Sequence, residues 1–279
     1  MKPVKSNVHT HTVFCDGRDT PREMAEEALR RGFCSLGFSS HSPIPYESSW
    51  GMRDEQGYLQ EIASLKEEYR GRLEIACGIE WDLESAIDPG RYDYTISSVH
   101  QIHHEGKVYA LDLSADALKR CADECFEGDF DRLSRAYYQL VTQAALRPGV
   151  DIVGHLDLIT KFTDRKWLFS EGFEFSEPAI TAIDKISAAR PDMIFEINTG
   201  AMARSGRNTP YPRYYLIKYL KAKNMAVTIT SDCHDKNFLE VGFATAVREL
   251  RRAGYQQVKI WKNGAFTDLP LSALAAALA

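Results

Sequence analysis

Short apolar runs of five to seven residues alternate along this chain with helical stretches of ten or more, and that alternation limits the fold more than any other feature. The runs cover residues 4–8, 35–40, 73–79, 94–99, 150–154, 193–198 and 226–231, with an eighth at 257–261. Between them, Thr20-Pro21-Arg22-Glu23 is a capping box with proline at the first helical position. It opens a helix that runs to Arg31 and stops at Gly32. Further helices are expected near 55–69, 115–126, 131–146, 177–189, 211–223 and 238–253. Runs this short, separated this regularly by helices, indicate parallel strands with crossover helices. The 279 residues are 44% apolar and 26% charged, an ordinary globular balance. The expectation is one α/β domain over 1–279, a TIM-like (β/α) barrel at about 4–240 with a late strand and helix at 255–279. An Ala/Leu-rich tail from Leu269 should form a short terminal helix.

What ends each run carries the chemistry. Val8 leads into His9-Thr10-His11, and Asp16 follows shortly after. Ser40 leads into His41, Ile79 into Glu80, Val99 into His100, Gly154 into His155, and Ser231 into Asp232-Cys233-His234. In a parallel barrel these ends converge on one mouth. His9 and His11 are two apart on extended chain and point the same way, as do Asp232 and His234. Six imidazoles and three carboxylates are too many for one ion. They suit two to three divalent metal ions, with zinc, manganese and iron all compatible with such a donor set. Cys15 and Cys233 read as neighbours of ligands, and His103 and His104 lie near the mouth.

Net charge and cysteine usage narrow the partners. With 34 Lys plus Arg against 39 Asp plus Glu the chain carries −5, which argues against a nucleic-acid or anionic-membrane surface. No apolar leader follows Met1 and no window is long enough for a membrane span, so a cytoplasmic protein is expected. The six cysteines form no C-x-x-C pair and read as reduced thiols, with Cys121 and Cys125 at helix-packing spacing. No cysteine has an arginine six residues on, as a cysteine phosphatase needs, and the one D-x-D, Asp129-Phe130-Asp131, does not end an apolar strand.

Taken together, His9-Thr10-His11, Asp16-Gly17, His41, Glu80, Ser98-Val99-His100, Gly154-His155 and Ser231-Asp232-Cys233-His234 resemble the polymerase-and-histidinol-phosphatase (PHP) superfamily over about residues 5–240. Glu196-Ile197-Asn198-Thr199-Gly200 and Arg204-Ser205-Gly206-Arg207-Asn208 look like its histidinol-phosphatase branch. The resemblance implies a distorted seven-stranded barrel, with 257–261 peripheral, and a trinuclear site. One ion would take His9, His11, Glu80 and Asp232; a second Glu80, His100 and His155; a third Asp16, His41 and His234, where other branches have His in place of Asp16.

The resemblance also implies hydrolysis of a small phosphate monoester, L-histidinol phosphate in that branch. Arg204 is the first candidate to clamp the phosphate, followed by Lys161 and Arg207, because guanidinium matches two phosphate oxygens at once. Asn198 could reach substrate or fix a loop, and Asp232 or His234 could deliver the leaving-group proton. The stretch 101–131 should form a lid or rim whose acidic residues could attract an amino group. Alternatives are a PHP-type phosphoesterase for a sugar or nucleotide phosphate or a phosphodiester, then an amidohydrolase-type barrel, which usually carries a bridging Lys where this chain has Glu80. Nothing in the sequence sets an oligomeric state.

Overall fold

A computed structural model of the chain describes residues 4–46, 49–162, 176–204 and 207–279. Its strands are β1 (Lys5–Asn7), β2 (Phe33–Phe38), β3 (Glu74–Asp82), β4 (Tyr94–Ser98), β5 (Gln101–His104), β6 (Lys107–Ala110), β7 (Ile152–Val153), β8 (Ile194–Asn198), β9 (Ala226–Thr230), β10 (Gln257–Lys262) and β11 (Ala265–Pro270). Its helices are α1 (Pro21–Arg30), α2 (Glu55–Glu68), α3 (Ala115–Phe126), α4 (Phe130–Ala145), α5 (Ser176–Ala189), α6 (Gly200–Arg204), α7 (Tyr214–Ala222), α8 (Phe243–Arg252) and α9 (Leu271–Leu278). The expected capping box holds α1: the Thr20 side chain accepts from the Glu23 N–H, and the Glu23 carboxylate accepts from the Thr20 N–H.

The main sheet runs β1-β2-β3-β4-β7-β8-β9-β10-β11, and every pairing from β1 through to β10 is parallel. Just past β1 and β9, Thr10 and Cys233 form an isolated parallel bridge, and the His11 N–H donates to the Cys233 carbonyl at 2.9 Å. That bridge brings β1 and β9, the first and seventh strands of the sheet order, together in a TIM-like fold.

Two apolar cores result. The larger lies between strands and surrounding helices. The smaller gathers Val8, Ala76, Tyr94, Ile96, Ile152 and Ile194 from strands all around the fold, which places it inside the curled sheet. Tyr94 fills that interior. A Cβ at Gly37 would come within 2.3 Å of its hydroxyl, and one at Gly78 within 2.2 Å of its ring, so both positions require glycine for close approach. The Tyr94 hydroxyl donates to the Val8 carbonyl at 2.6 Å.

The late strand is not peripheral. β10 pairs with β9 on one side and β11 on the other, and its Trp261 joins the inner core, with ring centroids 5.6 Å from Tyr94 and 5.1 Å from Phe266. The β10–β11 hairpin is therefore a floor beneath the barrel. The expected rim at 101–131 contains an antiparallel hairpin, β5–β6, followed by α3. Among the described residues no helix is long and apolar enough to cross a membrane.

Candidate metal centre

The nine sequence-predicted residues converge at the ends of β1, β2, β3, β4, β7 and β9. Glu80, buried within β3, is the centre. His41 Nδ1 lies 2.8 Å from its Oε2, His155 Nε2 2.9 Å from Oε1, and His9, His11 and His100 Nε2 atoms 3.4–3.5 Å from one or other oxygen. Asp232 faces the same space, its Oδ1 3.1 Å from His11 Nε2 and 3.8 Å from His9 Nε2. Asp16 Oδ1 stands 3.2 Å from His234 Nε2 and 3.7 Å from His41 Nε2.

Side chains behind the centre decide which imidazole nitrogens can act as ligands. His9 Nδ1 is 2.5 Å from Glu196 Oε1, and His100 Nδ1 is 3.0 Å from Asp82 Oδ2. An ionised carboxylate can only accept, so both Nδ1 atoms carry a proton, which leaves Nε2 as the nitrogen of each ring that can offer a lone pair to a metal ion. Both Nε2 atoms point at carboxylate oxygens. Buried His9 Nε2, His11 Nε2, His41 Nδ1 and Glu80 Oε2 have no hydrogen-bond partner. Converging imidazole nitrogens and carboxylate oxygens without hydrogen-bond partners suit a cation, and imidazole plus carboxylate is the donor chemistry of divalent transition metals. The residues present fit such ions.

Three overlapping groups have ligand atoms all within 4.8 Å of one another: His11, Asp16, His41 and His234; His9, His11 and Glu80; and His41, Glu80 and His100. The grouping differs from the expected partition: His11 and His41 each belong to two groups, and His155 and Asp232 belong to none. The electrostatics agree with a cation site. Burial alone would raise the Glu80 and Asp232 carboxyls; surrounding imidazoles, and Arg204 beside Asp232, outweigh it and hold both well below the usual carboxylate range.

The backbone at the last strand end differs from expectation. β9 stops at Thr230, and Asp232 takes a left-handed conformation with φ of 44°. Asp232 and His234 still face one cavity, through a turn rather than strand alternation, while Cys233 is buried in the larger core.

That cavity, of about 750 Å³, has the centre on one wall. Arg204 and Lys161 line it too. Arg204 Nη2 donates to Asp232 Oδ2 at 3.0 Å, and its Nη1 contacts the Asp232 carbonyl and His234 Nδ1. Lys161 pairs with Asp112 at 3.0 Å. The β5–β6 hairpin and Trp50, whose ring packs edge-on to His41 with centroids 4.7 Å apart, form the outer wall. His103 binds the Tyr46 hydroxyl at the rim, 2.8 Å away. Of the acidic rim residues, only Asp112 lines the cavity.

Two substrate candidates stand elsewhere. The Arg207 guanidinium is buried on the Thr160 carbonyl at 2.9 Å and over the Tyr211 ring at 4.3 Å, away from the cavity lining. Asn198 is fully buried and donates to Glu196 and Asp232, so it sits behind the centre. Ser205 and Gly206 lie outside the described residues. Sequence reasoning missed Asp82 and Glu196 as partners of ligands. The signal was available: Asp82 is two residues past Glu80, and Glu196 two before Asn198, so each shares a strand face with a residue already singled out.

The PHP domain model matches residues 7–200 of the chain. A Deinococcus radiodurans protein named probable histidinol-phosphatase is 31% identical over 90% of this chain and 94% of its own. The Bacillus subtilis histidinol-phosphatase is 27% identical over 86% of this chain and 96% of its own. Among solved structures, a Lactococcus lactis histidinol phosphate phosphatase complexed with zinc, L-histidinol and phosphate superposes with a TM-score of 0.65 at 18% identity, covering 94% of this chain and 98% of that one.

Proposed function

The chain belongs to the PHP domain family, and on that premise we propose that it is a metal-dependent histidinol-phosphatase, hydrolysing L-histidinol phosphate to L-histidinol and inorganic phosphate. The observation that carries the proposal is the set of buried, unpartnered atoms on His9, His11, His41 and Glu80, the last two of which line a cavity that Arg204 and Lys161 also line. The reading includes two to three divalent ions drawn from zinc, manganese or iron, held by His9, His11, Asp16, His41, Glu80, His100, His155, Asp232 and His234. It also places the enzyme in histidine biosynthesis in the cytoplasm, in keeping with six free thiols.

Bound divalent ions would neutralise the phosphoryl oxygens and make water a stronger nucleophile at neutral pH. The chain's own part is to hold and orient. Arg204, anchored on Asp232, presents its guanidinium to the cavity, where it can pair with a phosphoryl oxygen. Lys161 adds a second positive charge to the cavity lining, tethered by Asp112. Water oxygen joins phosphorus as the ester P–O bond breaks, and one water proton ends on the leaving oxygen, carried by Asp232 or His234. The Trp50 ring packs edge-on against both His41 and His100, and the β5–β6 hairpin lines the same cavity.

Phosphate release from L-histidinol phosphate, measured against a panel of sugar and nucleotide monoesters, tests the substrate, and elemental analysis tests the metals. L-histidinol phosphate should rank first, with more than one metal ion per chain. A metal-free active enzyme would overturn the mechanism, and a poor rank for L-histidinol phosphate would reduce the reading to a phosphoesterase of other substrate.

A further inference from the structure

Of the seven strands from β1 to β9 in the sheet, β8 is the one that supplies none of the nine proposed ligands, yet it carries a carboxylate that reaches two of them directly and a third through Asn198. Glu196 is almost completely buried. Its Oε1 accepts from His9 Nδ1 at 2.5 Å and from the Thr230 hydroxyl at 2.6 Å. Its Oε2 accepts from the His155 backbone N–H at 2.6 Å and from Asn198 Nδ2 at 3.0 Å. Asn198 Nδ2 also donates to Asp232 Oδ2 at 3.1 Å. Two donors on each oxygen leave no room for a proton, so only the ionised carboxylate fits this pocket. An amide cannot replace it: wherever its NH₂ points, two of the four donors lose their acceptor.

We infer that Glu196 is the positioning residue of the metal centre, fixing the His9 tautomer, the aim of His155 and, through Asn198, the Asp232 carboxylate. The three ligands lie past β1, β7 and β9, so one side chain on β8 sets the relative geometry of three strand ends. Asp82 does the same for His100 alone. Without Glu196, His9 could carry its proton on Nε2, which would turn a ligand lone pair into a donor pointed at Glu80 and Asp232.

The inference rests on the metal reading above, and its test separates the two. Wild-type protein is stripped and titrated with zinc against a chromophoric chelator, alongside Glu196→Gln. Zinc taken up by wild type supports the metal reading on its own. Apparent zinc affinity of Glu196→Gln about 10- to 100-fold weaker, the usual effect of losing an outer partner of a ligand, supports the role of Glu196. Equal affinities would overturn it. Because a buried charge replacement can prevent folding, a second measurement uses wild type only. In ¹⁵N-histidine-labelled protein, His9 Nδ1 should carry a strongly downfield, exchange-protected proton in both metal-free and zinc-loaded samples. An Nε2–H tautomer would sink the inference whatever the variant does.

Discussion

The mouth and the floor of this barrel are built from the same strands and follow opposite rules. Along β3 the inward positions read Ala76, Gly78, Glu80, Asp82, and along β4 and just beyond they read Tyr94, Ile96, Ser98, His100. Two steps of strand alternation carry each strand from a close-packed apolar plug to a cluster of ionisable groups. At the floor, the rings of Tyr94, Trp261 and Phe266 pack on one another and the Tyr94 hydroxyl finds a partner. At the mouth, buried nitrogens and oxygens are left facing one another without one. The difference teaches that the floor has the packing of a stability element, while the mouth holds groups that isolated folding would disfavour, as at TIM-barrel active sites.

The largest effect expected from this contrast is at Glu80. Glu80→Gln removes the carboxylate that five imidazoles share, so kcat/KM should fall well beyond the roughly 100-fold that an outer partner costs, with bound metal lost. Phosphate release and elemental analysis check it, and a variant that keeps its metal and most of its rate would break the assignment. At the floor, Tyr94→Ala should cost about 3–5 kcal/mol of stability, the usual range for emptying a large aromatic site. Denaturant unfolding measures the loss, while kcat of the folded fraction at 25 °C should stay near wild type. A matching collapse of kcat would show that the two ends are not separable.

The contrast also explains what could be read from the chain. The strand ends announced themselves because an ionisable residue directly after an apolar run is conspicuous, and all nine residues singled out on that ground meet in space. The shell behind them was passed over because Glu196 lies inside a run that otherwise reads as core strand, while Asp82 lies past the end of its run, two residues beyond Glu80. Arg207 was misplaced since sequence shows a cation near the site but not which way it faces; its guanidinium is taken by Thr160 and Tyr211. The floor was misread as peripheral because closing a barrel from below depends on contacts such as Tyr94 with Trp261, which are far apart in sequence and leave no local pattern. The turn at Asp232 likewise follows from tertiary context: its backbone leaves the extended region, with φ of 44°.

A smaller effect at the mouth is expected from Arg204→Ala. Losing one charge-assisted contact to phosphate is worth about 1.5–3 kcal/mol, or roughly 10- to 100-fold, and should appear mainly in KM. Asp232 would lose its guanidinium partner in the same variant, so a drop in kcat with unchanged KM would reassign Arg204 to orienting Asp232 rather than holding substrate. Steady-state kinetics with L-histidinol phosphate separate the two.

The smallest effect tests the floor again, through a polar seam rather than an aromatic one. Ser35 Oγ lies 2.7 Å from the Trp261 carbonyl and 2.7 Å from Ser6 Oγ, and the Trp261 N–H donates to Ser6 Oγ at 3.3 Å. A carbonyl can only accept, so Ser35 gives its proton to Trp261 and receives the proton of Ser6, which closes a relay that both begins and ends on Trp261. Ser35→Ala cuts that relay at two points and leaves the buried Trp261 carbonyl without this donor, which should cost about 1–3 kcal/mol in urea unfolding. Nothing in the relay touches the cavity, so kcat and KM should not move. If they did, the floor would be transmitting strain up β2 to His41, and the division of labour between the two ends would have to be drawn higher in the barrel.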